Sequence, residues 1–150
     1  MARRLLWFAV LGLSVMVVAL LRQVGVLHTR LRPLGVHFAG EGPERLVAAP
    51  PVPGVDYGRH EMTLLAFSSP TCQVCAELLP SLRVMERQYD DLALVELELG
   101  TRWQPVFSAF NVRSTPYVVT VDRNGVVQGR GVANSLEQVE VLVEEGLANA

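Results

Sequence analysis

Cys72 and Cys75 are the only two cysteines in the chain, with Gln73 and Val74 between them. Cysteines this close cannot close a large loop, so the stapling role that disulfides play in small secreted domains does not account for them. Their setting favours redox chemistry. They follow an apolar run and open a stretch of helical periodicity. At a helix start, unpaired backbone N–H groups and the macrodipole favour an anion. A Cys72 thiolate is therefore stabilised, and its pKa is expected below that of a free thiol. One turn later Cys75 returns alongside, and a spacing of three permits a disulfide with little rearrangement. In such a pair Cys72 is the exposed attacker or acceptor, and Cys75 is the shielded thiol that resolves a mixed disulfide.

Other chemistries compete for the same two residues. A structural zinc site needs four ligands, and there is no second cysteine pair, while His28, His37 and His60 are scattered without ligand spacing. Delivery of a soft ion such as Cu(I) would want a His or Met cluster near the thiols, and the sequence places none there. A redox-inactive chaperone or scaffold carrying an idle disulfide is a third reading. No Gly-rich phosphate loop or nucleotide motif is present. No metal is expected, and the disulfide is itself the redox group, so no flavin or haem is called for.

The elements that must position the pair alternate along the chain. Met62 to Ser68 (MTLLAFS) reads as a buried strand. Gln73 to Tyr89 reads as a helix with Leu78, Leu79, Leu82, Met85 and Tyr89 on one stripe and Pro80 as a kink. Leu92 to Leu99 is an expected strand with Glu96 and Glu98 on a solvated or edge face, and Arg102 to Phe110 an expected helix. Tyr117 to Asp122 and Val126 to Gly131 form a hairpin about a turn at Arg123-Asn124-Gly125. Ser135, with Gln138 three residues on, marks a capping box opening a last helix. The order β-α-β-α-β-β-α predicts an α/β fold, with two parallel crossovers followed by an antiparallel hairpin giving a mixed central sheet with flanking helices. Phe67, Trp103, Phe107 and Phe110 read as core or groove wall. Ser114-Thr115-Pro116 stands just before the hairpin, where a proline marks a strand start or a cis peptide.

A strand, CQVC at a helix start, a helix proline five residues after Cys75, TP before a hairpin and GVANS ahead of a terminal helix together resemble the thioredoxin superfamily over roughly residues 60–148. The resemblance implies a cis Thr115–Pro116 bond packed against the disulfide. It implies that the Thr115 backbone pairs with an extended client segment, a form of strand addition. Thr71, Gln73 and Val74, beside the pair, join Thr115 and Pro116 as client-facing residues. Thioredoxins commonly hold Trp where Thr71 stands. Reducing thioredoxins bury a carboxylate where Ala66 stands, and its loss is expected to slow resolution by Cys75.

Upstream, Leu5 to Leu21 is a run of 17 uncharged, largely apolar residues bounded by Arg3 and Arg4 on one side and Arg22 on the other. Its length is at the short end of what spans a bilayer. We read residues 1–22 as an uncleaved transmembrane anchor, in preference to a cleaved signal peptide. Residues 23–58 read as a juxtamembrane segment and a Gly/Pro-rich linker or irregular lead-in, and residues 59–150 as the thioredoxin-like domain. Residues 1–40 carry five arginines and no acid, whereas eight arginines against all 15 acids leave the remainder at −7. A basic apolar head on an acidic body suits a tethered domain and argues against nucleic acid as a partner.

The anchor followed by RQVGVLHTRLRPLGV and a thioredoxin-like domain resembles the MauD family of methylamine-utilisation accessory proteins. That likeness implies making or rearranging protein disulfides, in a methylamine dehydrogenase subunit, on the periplasmic side of the cell membrane. MauD proteins often carry Pro where Gln73 stands. The anchor also resembles that of membrane-tethered thioredoxins of the TlpA type, which reduce disulfides. The partners implied are client thiols and disulfides, the membrane, and a membrane electron donor or acceptor whose identity the sequence does not give.

Overall fold

The computed structural model describes Trp7, residues 12–17 and residues 40–149. Trp7 and residues 12–17 are helical and exposed. The rest of the expected anchor, and residues 23–39 of the juxtamembrane segment, lie outside the described residues. Among those described, no helix is long and apolar enough to cross a membrane. The chain divides into two units, Met1–Pro33 and Leu34–Ala150.

In the second unit, β1 (Met62–Ser68), α1 (Gln73–Glu86), β2 (Leu92–Glu98), α2 (Gln104–Ala109), β3 (Tyr117–Asp122), β4 (Val127–Val132) and α3 (Leu136–Asn149) follow in the expected order. The sheet order is β2-β1-β3-β4. β1 runs parallel to β2 and antiparallel to β3, and β3–β4 is an antiparallel hairpin. The sheet is mixed, as the element order anticipates, but only the β1–β2 crossover is parallel. The expected second parallel crossover is corrected, because the chain after α2 enters β3 on the far side of β1 in the antiparallel sense.

β1 is buried at all seven positions because it is a central strand with both faces covered. Its side chains alternate between two cores. Met62, Leu64 and Ala66 meet Leu78, Leu82 and Met85 of α1 and Val139, Leu142 and Val143 of α3. Leu65 and Phe67 meet Phe107, Phe110 and the upstream Val52 on the opposite face. Phe67 stacks edge-on against Phe107 with ring centroids 5.0 Å apart, so Phe67, Phe107 and Phe110 are core, and Trp103 packs partly buried against them. β2 is an edge strand, and its Glu96 carboxylate takes two hydrogen bonds from the Arg83 guanidinium at 2.6 and 2.7 Å.

Element ends differ from the sequence reading for local reasons. α1 stops at Glu86 because Gln88 and Tyr89 both turn their N–H groups back to the Met85 carbonyl. β4 starts at Val127 because the Val126 N–H is spent on Asp122 Oδ1, which also caps Asn124 in the turn. At α3, Gln138 reaches the N–H of Asn134 at 2.8 Å, one residue earlier than a capping box on Ser135 requires.

The lead-in over residues 40–56 is irregular but belongs to the folded unit. Leu46 N–H donates to the Val127 carbonyl and Val127 N–H to the Val47 carbonyl, which covers the start of the β4 edge. Val52 is 3 % exposed within the core.

Candidate functional site

The turn Ser69–Cys72 carries the chain from the end of β1 into α1, closed by a 3.1 Å bond from the Cys72 N–H to the Ser69 carbonyl. Cys72 is the N-cap of α1, in extended geometry, and its sulfur accepts the Cys75 N–H at 3.1 Å. A cap is usually an oxygen of Ser, Thr, Asp or Asn. Here sulfur takes that place, so the orphan N–H of the first turn is aimed at the atom that carries charge when the pair is reduced.

Cys72 and Cys75 form a disulfide, with Cα atoms 5.3 Å apart. Cys72 is half-buried and Cys75 is 2 % exposed. One sulfur is thus reachable and the other shielded, an asymmetry that disulfide exchange needs. Thr71, Gln73 and Val74 are all exposed around the reachable sulfur. Ala66 lies in the apolar cluster with Leu78, Leu82 and Val118 beneath this end of α1. Among the described residues, no group of three or more His, Cys, Asp or Glu is placed to hold a metal ion.

The Thr115–Pro116 bond is cis. The Thr115 hydroxyl stands 3.2 Å from the Ser69 hydroxyl, which ties the segment before β3 to the turn that leads into Cys72. Thr115 is half-buried and Pro116 buried. Within the described residues no backbone hydrogen bond takes up the Thr115 N–H or C=O, although the Pro116 carbonyl accepts from Ala133 N–H. A cleft of about 610 Å³ opens beside this segment, with Ser69, Phe107, Asn111, Arg113 and Thr115 in its lining.

Around the cysteines and the Thr115–Pro116 segment the structure adds Ser69, Arg113 and Glu41, which the sequence reading did not single out, and it gives Ser114, named there only within Ser-Thr-Pro, a partner in Glu41. Glu41 sits in the lead-in and is 4 % exposed. Its Oε1 accepts the N–H groups of Arg113 (2.7 Å) and Ser114 (2.6 Å) and the Ser114 hydroxyl (2.8 Å). Burial by itself would push this carboxyl up. The Arg113 N–H, the Ser114 hydroxyl and N–H, and the Arg113 charge outweigh burial and hold it below its ordinary value. A lone Glu in a Gly/Pro-rich stretch carries no signal of this kind, because its partners are more than seventy residues away.

No family model matches the chain. Among solved structures it resembles thioredoxin f from spinach chloroplast, with a TM-score of 0.57 and 15% identity over 71% of this chain and 95% of that one. Thioredoxin f2 of Chlamydomonas reinhardtii gives a TM-score of 0.55 at 10% identity, covering 60% and 82%. Identities this low establish the fold alone. Sequence relatives reach further. The methylamine utilization protein MauD of Paracoccus versutus is 34% identical, with 93% of this chain and 85% of the relative covered. MauD of Methylorubrum extorquens is also 34% identical, covering 93% and 82%. These alignments span 168 and 169 positions, longer than the chain itself, so the relatives hold inserted residues. Sharing a third of its positions with them over nearly its whole length, and carrying an exchangeable cysteine pair on a thioredoxin fold, the chain belongs to the MauD family and is a thiol–disulfide oxidoreductase.

Proposed function

We propose that the protein is tethered to the cell membrane by residues 1–22 and exchanges disulfides with client proteins on the extracytoplasmic side. The observation that carries this reading is the asymmetric pair at the start of α1, with an exposed rim and an open main-chain edge at Thr115. Cys72 attacks or accepts, and its sulfur is held by the Cys75 N–H. Cys75 resolves the mixed disulfide. An extended client segment pairs with the N–H and C=O of Thr115, which no backbone group among the described residues takes up, Pro116 shapes the groove, and Thr71, Gln73 and Val74 meet the client around the cysteine. The name shared by the relatives, methylamine utilization protein, supports a disulfide-bearing exported enzyme such as methylamine dehydrogenase as client. The uncharged run of residues 5–21 between arginines supports the tether.

The test is a trap. Cys75→Ser leaves Cys72 unable to resolve, so cells carrying this variant should accumulate a thiol-labile adduct in the membrane fraction, absent from Cys72→Ser. Mass spectrometry of the adduct names the client. A reporter fused after Ala150 that works only in the cytoplasm would overturn the placement. Equal adducts from both variants would overturn the assigned roles.

A further inference from the structure

The segment before the cis proline has no sheet ladder to hold it, since β3 begins only at Tyr117. Something else must fix residues 111–116, or the edge offered at Thr115 would have no set pose. The lead-in does this at several points. Glu41 Oε1 binds the two N–H groups and the hydroxyl just upstream of Thr115. The Glu41 carbonyl accepts the Tyr117 hydroxyl at 3.2 Å, just downstream. Arg130 Nη1 reaches the carbonyls of Glu41 (2.8 Å) and Gly42 (2.6 Å) and pins the lead-in from β4. The Gly42 N–H donates to the Asn111 carbonyl at 3.0 Å. Gly42 is at φ +82°, and a Cβ there would overlap the Tyr117 hydroxyl, so this close approach requires glycine.

The carboxylate is an expensive choice of clasp. Its Oε2 is buried with no partner among the described residues, and a buried acceptor left unsatisfied costs its desolvation. A charged acceptor, however, makes each of its hydrogen bonds shorter and stronger than a neutral one would. That trade favours stiffness of the held segment over stability of the fold.

We infer that Glu41 is a positioning residue for client exchange, clamping Arg113 and Ser114 so that the Thr115 main chain is preorganised to receive an extended client strand. The inference rests on the client-strand reading above. It concerns recognition, and it leaves the chemistry of the cysteine pair untouched.

The experiment uses the full chain, reduced, and follows two reactions. In the first, the Cys72 thiolate attacks a glutathionylated cysteine decapeptide at the peptide sulfur and releases glutathione. Cys75 thiolate then displaces the peptide thiolate, leaving the Cys72–Cys75 disulfide. In the second, that disulfide is reduced by dithiothreitol, which becomes the cyclic disulfide and makes no strand contact. Glu41→Ala is expected to raise KM for the decapeptide about tenfold, with kcat and the dithiothreitol rate within twofold of the parent. Glu41→Gln keeps an acceptor of the same reach and should recover most of the loss. Ser114→Ala removes one of the three donors and should raise KM two- to threefold, which keeps the test open if Glu41→Ala does not fold. Equal losses in both reactions, or an unchanged decapeptide KM in the folded variants, would overturn the inference. A parent chain whose rate with the decapeptide matches that with glutathione disulfide would instead sink the client-strand reading itself.

Discussion

The backbone N–H of Cys75 points at the sulfur of Cys72 across 3.1 Å. This bond joins the two halves of the redox pair through the main chain and aims a first-turn N–H at the sulfur that becomes a thiolate when the disulfide opens. Reduced protein should therefore show one fast and one slow thiol. Iodoacetamide at neutral pH should label Cys72 at least tenfold faster than the buried Cys75, as read by peptide mass mapping. Equal labelling would mean that the sulfur is not held as a thiolate.

Ala66 occupies an apolar cluster where reducing thioredoxins keep a carboxylate. Ala66→Asp should speed release of client thiol from the Cys72 mixed disulfide about tenfold or more, by supplying a base. It should also lower stability by about 1–3 kcal/mol, because a polar group is buried among Leu78, Leu82 and Val118. Stopped-flow resolution rates and urea midpoints measure the two effects. An unchanged rate would show that resolution is not limited by deprotonation of Cys75.

Glu41 gives a pH signature. Its folded carboxyl is held below the ordinary 4.5, so the unfolded chain binds the proton more tightly. The stabilisation from this depressed pKa is present in full above about pH 4.5 and is lost as pH falls through the folded value. Urea midpoints of the parent and Glu41→Gln should differ by a constant amount from pH 7 to pH 5 and converge below that. A difference independent of pH would mean that folding does not lower the pKa of this carboxyl.

Phe67 is 1 % exposed and packs against both Phe107 and Phe110. Phe67→Ala should cost about 3–5 kcal/mol of stability, measured by chemical unfolding, and should impair the site only by unfolding it. A loss under 1 kcal/mol would contradict the packing.

The element order and the redox pair were legible because they rest on local signals, whereas the strand order was not, and β3 enters antiparallel to β1 where a second parallel crossover was expected. Met62–Ser68 is a continuous apolar run, Gly125 sits in a turn, and Cys72 and Cys75 are one helical turn apart. Glu41 was not legible, because its meaning depends on Arg113 and Ser114, which only the fold brings near. The same holds for residues 40–56. Their glycines and prolines suggested a spacer as readily as a lead-in, yet main-chain bonds from Leu46 and Val47 to Val127 build them onto the domain. Composition reports backbone conformation well and long-range main-chain pairing poorly.

The central claim is that Cys72–Cys75 is an exchangeable redox pair, and its reduction potential tests that most directly. The full chain is equilibrated against glutathione and dithiothreitol buffers, and the fraction of free thiols is read by alkylation and mass. Stabilisation of the reduced Cys72 sulfur by the Cys75 N–H, with no carboxylate at position 66, predicts a value between that of thioredoxin, about −270 mV, and that of DsbA, about −120 mV. A value below about −300 mV, the range of inert structural disulfides, would contradict the account.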